Sequence, residues 1–155
     1  MQAMTATVQQ MVEILHERWG RIVDTMPEEG LNWQPDAPET NSIAQLVRHT
    51  MSVQTMLLTR GVGDEVRHDH TYSLRNDAAT AAELHAVLDE ANAKGGELLA
   101  RLDTMDMGEM LPHSRFGQVR RAWYVLHVLD HGGEHVGHAE LAAQLYVAQR
   151  APMIG

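Results

Sequence analysis

No cysteine occurs among the 155 residues. That removes disulfides, thiolate nucleophiles and cysteine-ligated zinc sites, and it leaves the redox compartment open. No apolar run approaches the ~18–20 residues that a membrane-spanning helix needs. Residues 1–10 lack the basic-then-apolar order of a secretory signal. A cytoplasmic, soluble protein is therefore the expectation. Positive charge is also scarce: one lysine, Lys94, joins eleven arginines, and the formal net charge is -9. The densest basic spot is Arg120-Arg121. Such a surface repels nucleic acid and anionic membrane, so neither is expected as a partner. A small-molecule substrate is the expected partner.

What is present reads as one globular domain over residues 1–155. Apolar content of 44% and charged content of 21% are ordinary for a packed core. Val8, Met11, Val12, Leu15, Trp19, Ile22, Val23 and Met26 recur at steps of three and four, the mark of an amphipathic helix. Pro27 stops it, and residues 27–40, with three prolines and Gly30, read as a loop. Thr40, Asn41 and Ser42 are alternative N-caps for a second helix running to about Arg60, with Gly61 and Gly63 ending it. A polar connection over 61–77 is long enough for the next helix to run parallel to the second. The third helix opens at Asp77 or at Thr80, where Thr80-x-x-Glu83 fits a capping box. Gly95-Gly96 interrupts its core stripe at a cost of roughly 2 kcal/mol against two alanines, so a kink or a close helix contact is expected there. Residues 108–117 read as a loop with a short turn. The fourth helix spans about Gln118 to Ala148, with Val119, Trp123, Leu126, Leu141 and Leu145 as its apolar face. Four such helices favour an all-α, four-helix bundle.

The compositional excess is histidine, ten in all, with His127, His131, His135 and His138 close together in the last helix. His131 and His135 are spaced i,i+4 and project from one helical face, where two imidazoles can share a cation. A third ligand has to come from elsewhere. His49 is the best candidate, three residues after Leu46 and four before Val53 on the apolar face of the second helix. A core histidine is more often simply hydrogen-bonded, which is the competing account of His49 taken alone. His138 is the main rival ligand, and His127 reads as packing or support. His68-Asp69-His70 reads as solvated loop. His131-Gly-Gly-Glu-His135 matches the H-x-x-E-H pattern of some zinc peptidases. Those need a further acidic ligand downstream, and the only acid after His135 is Glu140 on the same helix. The peptidase reading is rejected.

The stretch Leu31-Asn-Trp-Gln-Pro, followed by Asn41-Ser-Ile-Ala-Gln-Leu-Val-Arg-His49, resembles the "LNWRP…NSIAxLxxH" segment of DinB-like proteins. Asp130-His131-Gly-Gly-Glu-His135-Val-Gly-His138 resembles their C-terminal "NHxxxHxGQ" signature. The order and spacing hold from the first helix to Leu145. Asp130 stands where asparagine is usual, Val136 where arginine is common and His138 where glutamine often sits. The resemblance implies an up-down-down-up four-helix bundle with its long connection between helices 2 and 3, often a homodimer. It implies a divalent metal, zinc or nickel, on three histidines that map to His49, His131 and His135. It further implies thiol-dependent transfer or isomerisation with a low-molecular-weight thiol such as mycothiol or bacillithiol.

Three neutral imidazoles leave a metal its full charge and open coordination positions, as in catalytic sites. An entering thiol is deprotonated there, and a bound water has its pKa lowered toward ~7. The leading expectation is a metal-dependent transferase of the thiol-transferase type. A metal-dependent hydrolase is the second reading, and a non-catalytic, metal-stabilised, stress-associated dimer the third. Asp130 and Glu134 are candidates to orient ligand imidazoles or to take a proton, and Arg48 and Arg121 to bind an anionic thiol.

Overall fold

The computed structural model describes residues 2–66 and 77–150. His68, Asp69 and His70 lie outside them. The elements are α1 (Ala3–Thr25), α2 (Glu28–Asn32), α3 (Ile43–Val62), α4 (Ala81–Leu102), β1 (Met110–His113), β2 (Gly117–Arg120) and α5 (Arg121–Arg150). The four long helices form a closed ring in which α1 and α3 each pack against both α4 and α5.

Residue contacts fix the directions. Asp24, near the end of α1, pairs with His85 near the start of α4, while Asp103 after α4 meets Thr5. These helices are therefore antiparallel. Arg18 pairs with Glu140, and Glu29 just beyond α1 pairs with Arg150, so α1 and α5 run together. Gln54 bonds to Ala91 O, and Arg48 to Asp77 O just before α4, which makes α3 and α4 parallel. His49 meets His131 while Arg121 meets Gly61 O, which makes α3 and α5 antiparallel. The connectivity is up-down-down-up, with the long crossover between the second and third long helices.

Local chemistry sets the helix ends. Ser42 caps α3 through a reciprocal box with Gln45, and Thr80 does the same for α4 with Glu83. Gly63, with φ of 95°, supplies the left-handed turn that ends α3. Gly61, expected at that end, instead lies buried inside the helix, where an added Cβ would sit 3.5 Å from Tyr124 Cβ. Helix α4 runs unbroken through Gly95-Gly96. A Cβ on Gly95 would come within 3.2 Å of Gln54 Nε2, so the close-contact expectation holds at that glycine. Asn32 explains part of the Leu-Asn-Trp segment. Its amide donates to Ala79 O and accepts from Ala79 N, both at 2.8 Å, anchoring α2 to the residue before α4's cap.

Three expectations need correction. Residues 27–40 contain the short helix α2. The segment read as loop contains a β-hairpin, so Val119 belongs to β2 and α5 begins at Arg121. Strands of four residues are too short to show alternation in the sequence. Finally, Leu126, Leu141 and Leu145 are exposed, not inward. Between the buried Tyr124 and Tyr146, the inner face of α5 is instead made of Val125, Val128, Gly132, Val136, Ala139 and Ala142. Such small side chains let α1 approach closely: a Cβ on Gly132 would lie 3.1 Å from Leu15 Cδ1.

Candidate metal centre

The apolar core divides into two clusters. One gathers Trp19, Leu31, Met51, Ala91 and Val136; the other gathers Val12, Leu58, Leu98 and Val128. Polar and small residues lie at the boundary on every long helix: His16 on α1, Gln54 on α3, Gly95 on α4, and Gly132 with the histidines on α5. His16 Nε2 bonds Gln54 Oε1 at 3.0 Å, and Gln54 Nε2 continues to Ala91 O at 3.2 Å. Burial lowers the proton affinity of His16, with only partial opposition from Gln54 and the Asp89 charge. This buried chain had a visible signal, a histidine within the apolar stripe of the first helix.

Helix α3 delivers His49, and α5 delivers His131 and His135 one turn apart. His131 Nε2 lies 3.1 Å from His49 Nε2 and 3.1 Å from His135 Nε2. One ligand atom from each ring lies within 4.8 Å of both others. Two nitrogens on a tetrahedral ion, each ~2.0–2.1 Å from it, are about 3.3 Å apart, so the observed spacing suits a shared cation. Proton accounting agrees. His131 Nε2 faces two other ring nitrogens, and a single N–H satisfies only one such contact. A cation would accept all three lone pairs.

Burial and neighbouring charge favour the ligand-competent neutral form of His131 and His135. Burial first, then the neighbouring His135, His49 and His127, push the pKa of His131 from 6.5 down to about 3. His135 is lowered chiefly by burial, with His49 and His138 adding to it and Glu134 opposing. Ligation through Nε2 places the remaining proton of His135 on Nδ1, which is buried and has no acceptor among the described residues. His138 is exposed, its ring 5.6 Å from that of His135, and it falls outside the three-nitrogen group.

The other candidates have different partners. Asp130 is exposed and pairs with His127 Nδ1 at 3.3 Å. The His127 ring centre is 6.2 Å from that of His131. Arg48 donates to Asp77 O at 2.7 Å. Arg121, the first residue of α5, is buried and bonded to Asp106 O, Gly61 O and the Glu109 carboxylate. The expectation that Arg121 receives an anion is overturned, because its donors already tie the hairpin to the end of α3. Sequence reasoning also missed the hairpin's contribution of His113, which joins Trp123 and His127 in one ring cluster.

The sequence pattern that describes the DinB superfamily matches residues 11–139. A crystal structure titled as a conserved protein from Enterococcus faecalis is similar in fold, with a TM-score of 0.76. Its sequence is 17% identical, and the match covers 96% of this chain and 99% of that one. At that identity the likeness speaks for the fold alone. No curated protein matches the sequence significantly.

Proposed function

The chain belongs to the DinB superfamily, and we propose that it is a divalent-metal-dependent transferase that acts on a small molecule with a low-molecular-weight thiol. One observation carries this reading: three imidazole nitrogens from two helices converge within 4.8 Å. His49, His131 and His135 would hold zinc or nickel, leaving room for an exchangeable ligand. When bound, the ion supplies the positive charge that ionises a thiol at neutral pH, a nucleophile that a cysteine-free chain cannot provide itself.

The protein's own residues supply the rest. Burial holds His131 neutral, so no proton competes for its Nε2 near neutrality. In this reading His127, one turn from His131 and paired with Asp130, would take a proton leaving the site and pass it to solvent. The homodimer belongs to the same proposal: Leu126, Leu141 and Leu145 on α5, and Met11 and Ile14 on neighbouring α1, expose apolar surface that a second copy would cover.

The test has two stages. Metal analysis of the purified protein and of His49→Ala comes first, with about one ion per chain expected in the former and none in the latter. Unchanged metal content in the variant would refute the three-histidine site. The loaded protein is then incubated with a thiol panel and an activated electrophile, following thiol-dependent product. Hydrolysis without thiol would replace the transferase by a hydrolase. No turnover, alongside a metal-dependent rise in melting temperature, would leave a structural ion.

A further inference from the structure

Trp19 Nε1, Thr50 Oγ1 and His135 Nδ1 are buried polar atoms without a hydrogen-bond partner among the described residues. Trp19 is fully buried and Thr50 is 2% exposed, so bulk solvent reaches neither. A group buried in this way gives up its hydration with nothing in return, and native interiors rarely leave one so.

Their helices bring the three groups to one level. His16 on α1 bonds Gln54 on α3 across the bundle, and these two helices run in opposite directions. Trp19 lies three residues beyond His16, and Thr50 four residues before Gln54. At about 1.5 Å of rise per residue they stand about 4.5 and 6 Å from that bond, on the same side of it. Helix α5 runs with α1, and Gly132 packs on Leu15. His135, three residues beyond Gly132, is then within about 3 Å of the same level. Met51 and Val136, next in sequence to Thr50 and His135, belong with Trp19 to one apolar cluster, so apolar side chains surround the three groups.

The types of donor and acceptor suit one occupant. The indole N–H only donates, and His135 Nδ1 donates when Nε2 faces the ion; the Thr50 hydroxyl also accepts. None of the three bonds another directly. A water molecule accepts two hydrogen bonds and donates a third, and about 3 is the usual number for a buried water.

We propose that one internal water accepts from Trp19 Nε1–H and His135 Nδ1–H, donates to Thr50 Oγ1, and so orients the His135 ring toward the other two histidines. Metal-ligating histidines almost always anchor their second ring nitrogen on a carboxylate, a carbonyl or a water. No carboxylate or carbonyl of the described residues reaches His135 Nδ1. Trp19 and Thr50 are then positioning residues, acting on the metal centre without touching it. The proposal rests on the metal-centre reading only for the proton on His135 Nδ1. Trp19 and Thr50 need the water with or without an ion.

Thr50→Val and Thr50→Ser test it, first in metal-free protein. Valine keeps the shape and removes the hydroxyl, whereas serine keeps the hydroxyl and removes a methyl group. Loss of a hydrogen-bonded hydroxyl is expected to lower the melting temperature of Thr50→Val by about 2–4 °C. A rise would overturn the proposal, because an apolar group is the better occupant wherever a buried hydroxyl is unpaired. Zinc affinity is expected to fall about tenfold in Thr50→Val and to stay within about twofold in Thr50→Ser. The opposite order would assign Thr50 to packing and overturn it as well. In magnetic resonance of the chelated wild-type protein, the Trp19 indole N–H, assigned by its loss in Trp19→Phe, should show rotating-frame cross-relaxation with a long-lived water. No such cross-peak would remove the water. Absence of metal from the purified wild-type protein would sink the transferase reading while leaving the melting and resonance results to judge this one.

Discussion

Two groups of histidines lie side by side, and they use the same side chain in opposite ways. In His49, His131 and His135 the Nε2 atoms face one another at the boundary between the two core clusters. In His113 and His127 the ring faces meet aromatic neighbours, while Nδ1 is engaged by backbone N–H groups or by Asp130. Nitrogen facing nitrogen leaves lone pairs that ask for a cation. Face against face satisfies each ring by packing, with Phe116 and Trp123 as the partners. Residue type therefore says little about a histidine until the atoms it presents are known.

The sharpest way to separate the groups is to remove one ring from each. His131→Ala should lower zinc affinity by well over 100-fold, beyond the 10–100-fold that loss of a supporting residue costs. His113→Ala should leave metal content at wild-type level. Equilibrium dialysis against a zinc indicator reads both, and equal losses would erase the distinction.

The next effect is on the pH dependence of the metal-free protein. His131 titrates near 6.5 when unfolded and near 3 when folded, so between those values the unfolded chain binds the extra proton. Stability is then full above about pH 6.5 and falls as pH drops toward 3. Burial shifts His16 and His135 in the same direction. Melting curves of chelated protein from pH 7.5 to 4.5 should show the decline, and His131→Gln should flatten it. A curve that rises on acidification contradicts the buried, neutral assignment.

A smaller effect probes the link between the groups. Asp130→Asn weakens the pair with His127, and its effect on zinc affinity should stay within about tenfold because His127 is not among the converging rings. The smallest contrast lies in the helix that carries both groups. A Cβ at Gly133 meets nothing, so Gly133→Ala should stabilise by up to about 1 kcal/mol. Gly132→Ala presses on Leu15 and should forfeit that gain. Chemical denaturation of the two variants measures the difference.

Much of the scaffold was legible because its signals are local. The Thr80 box, the cap of α3 within residues 40–42, the i,i+4 pair of histidines and the apolar stripe of α1 all lie within a few residues. His49 was legible as a polar residue on an apolar face, and the DinB-like motifs placed it in the same site as His131 and His135. The inner face of α5 was misread because, between Tyr124 and Tyr146, its core positions hold glycine, alanine and valine, while Leu126, Leu141 and Leu145 point outward. The ring cluster at the hairpin was invisible for another reason. It joins a three-residue turn to the first turns of a helix, and no sequence period connects His113 with Trp123 or Phe116 with His127. Arg121 was misassigned because its partners are mostly backbone carbonyls, which leave no mark in composition.

The two helices that hold the converging rings are far apart along the chain, with His49 and His131 separated by 82 positions. An unfolded polypeptide retains only the neighbouring pair 131 and 135, a chelate too poor to hold an ion tightly. Retained metal would thus serve as a gauge of the folded fraction, and mild chelation would lower the stability of the bundle reversibly, with no chemical contact to the rest of it.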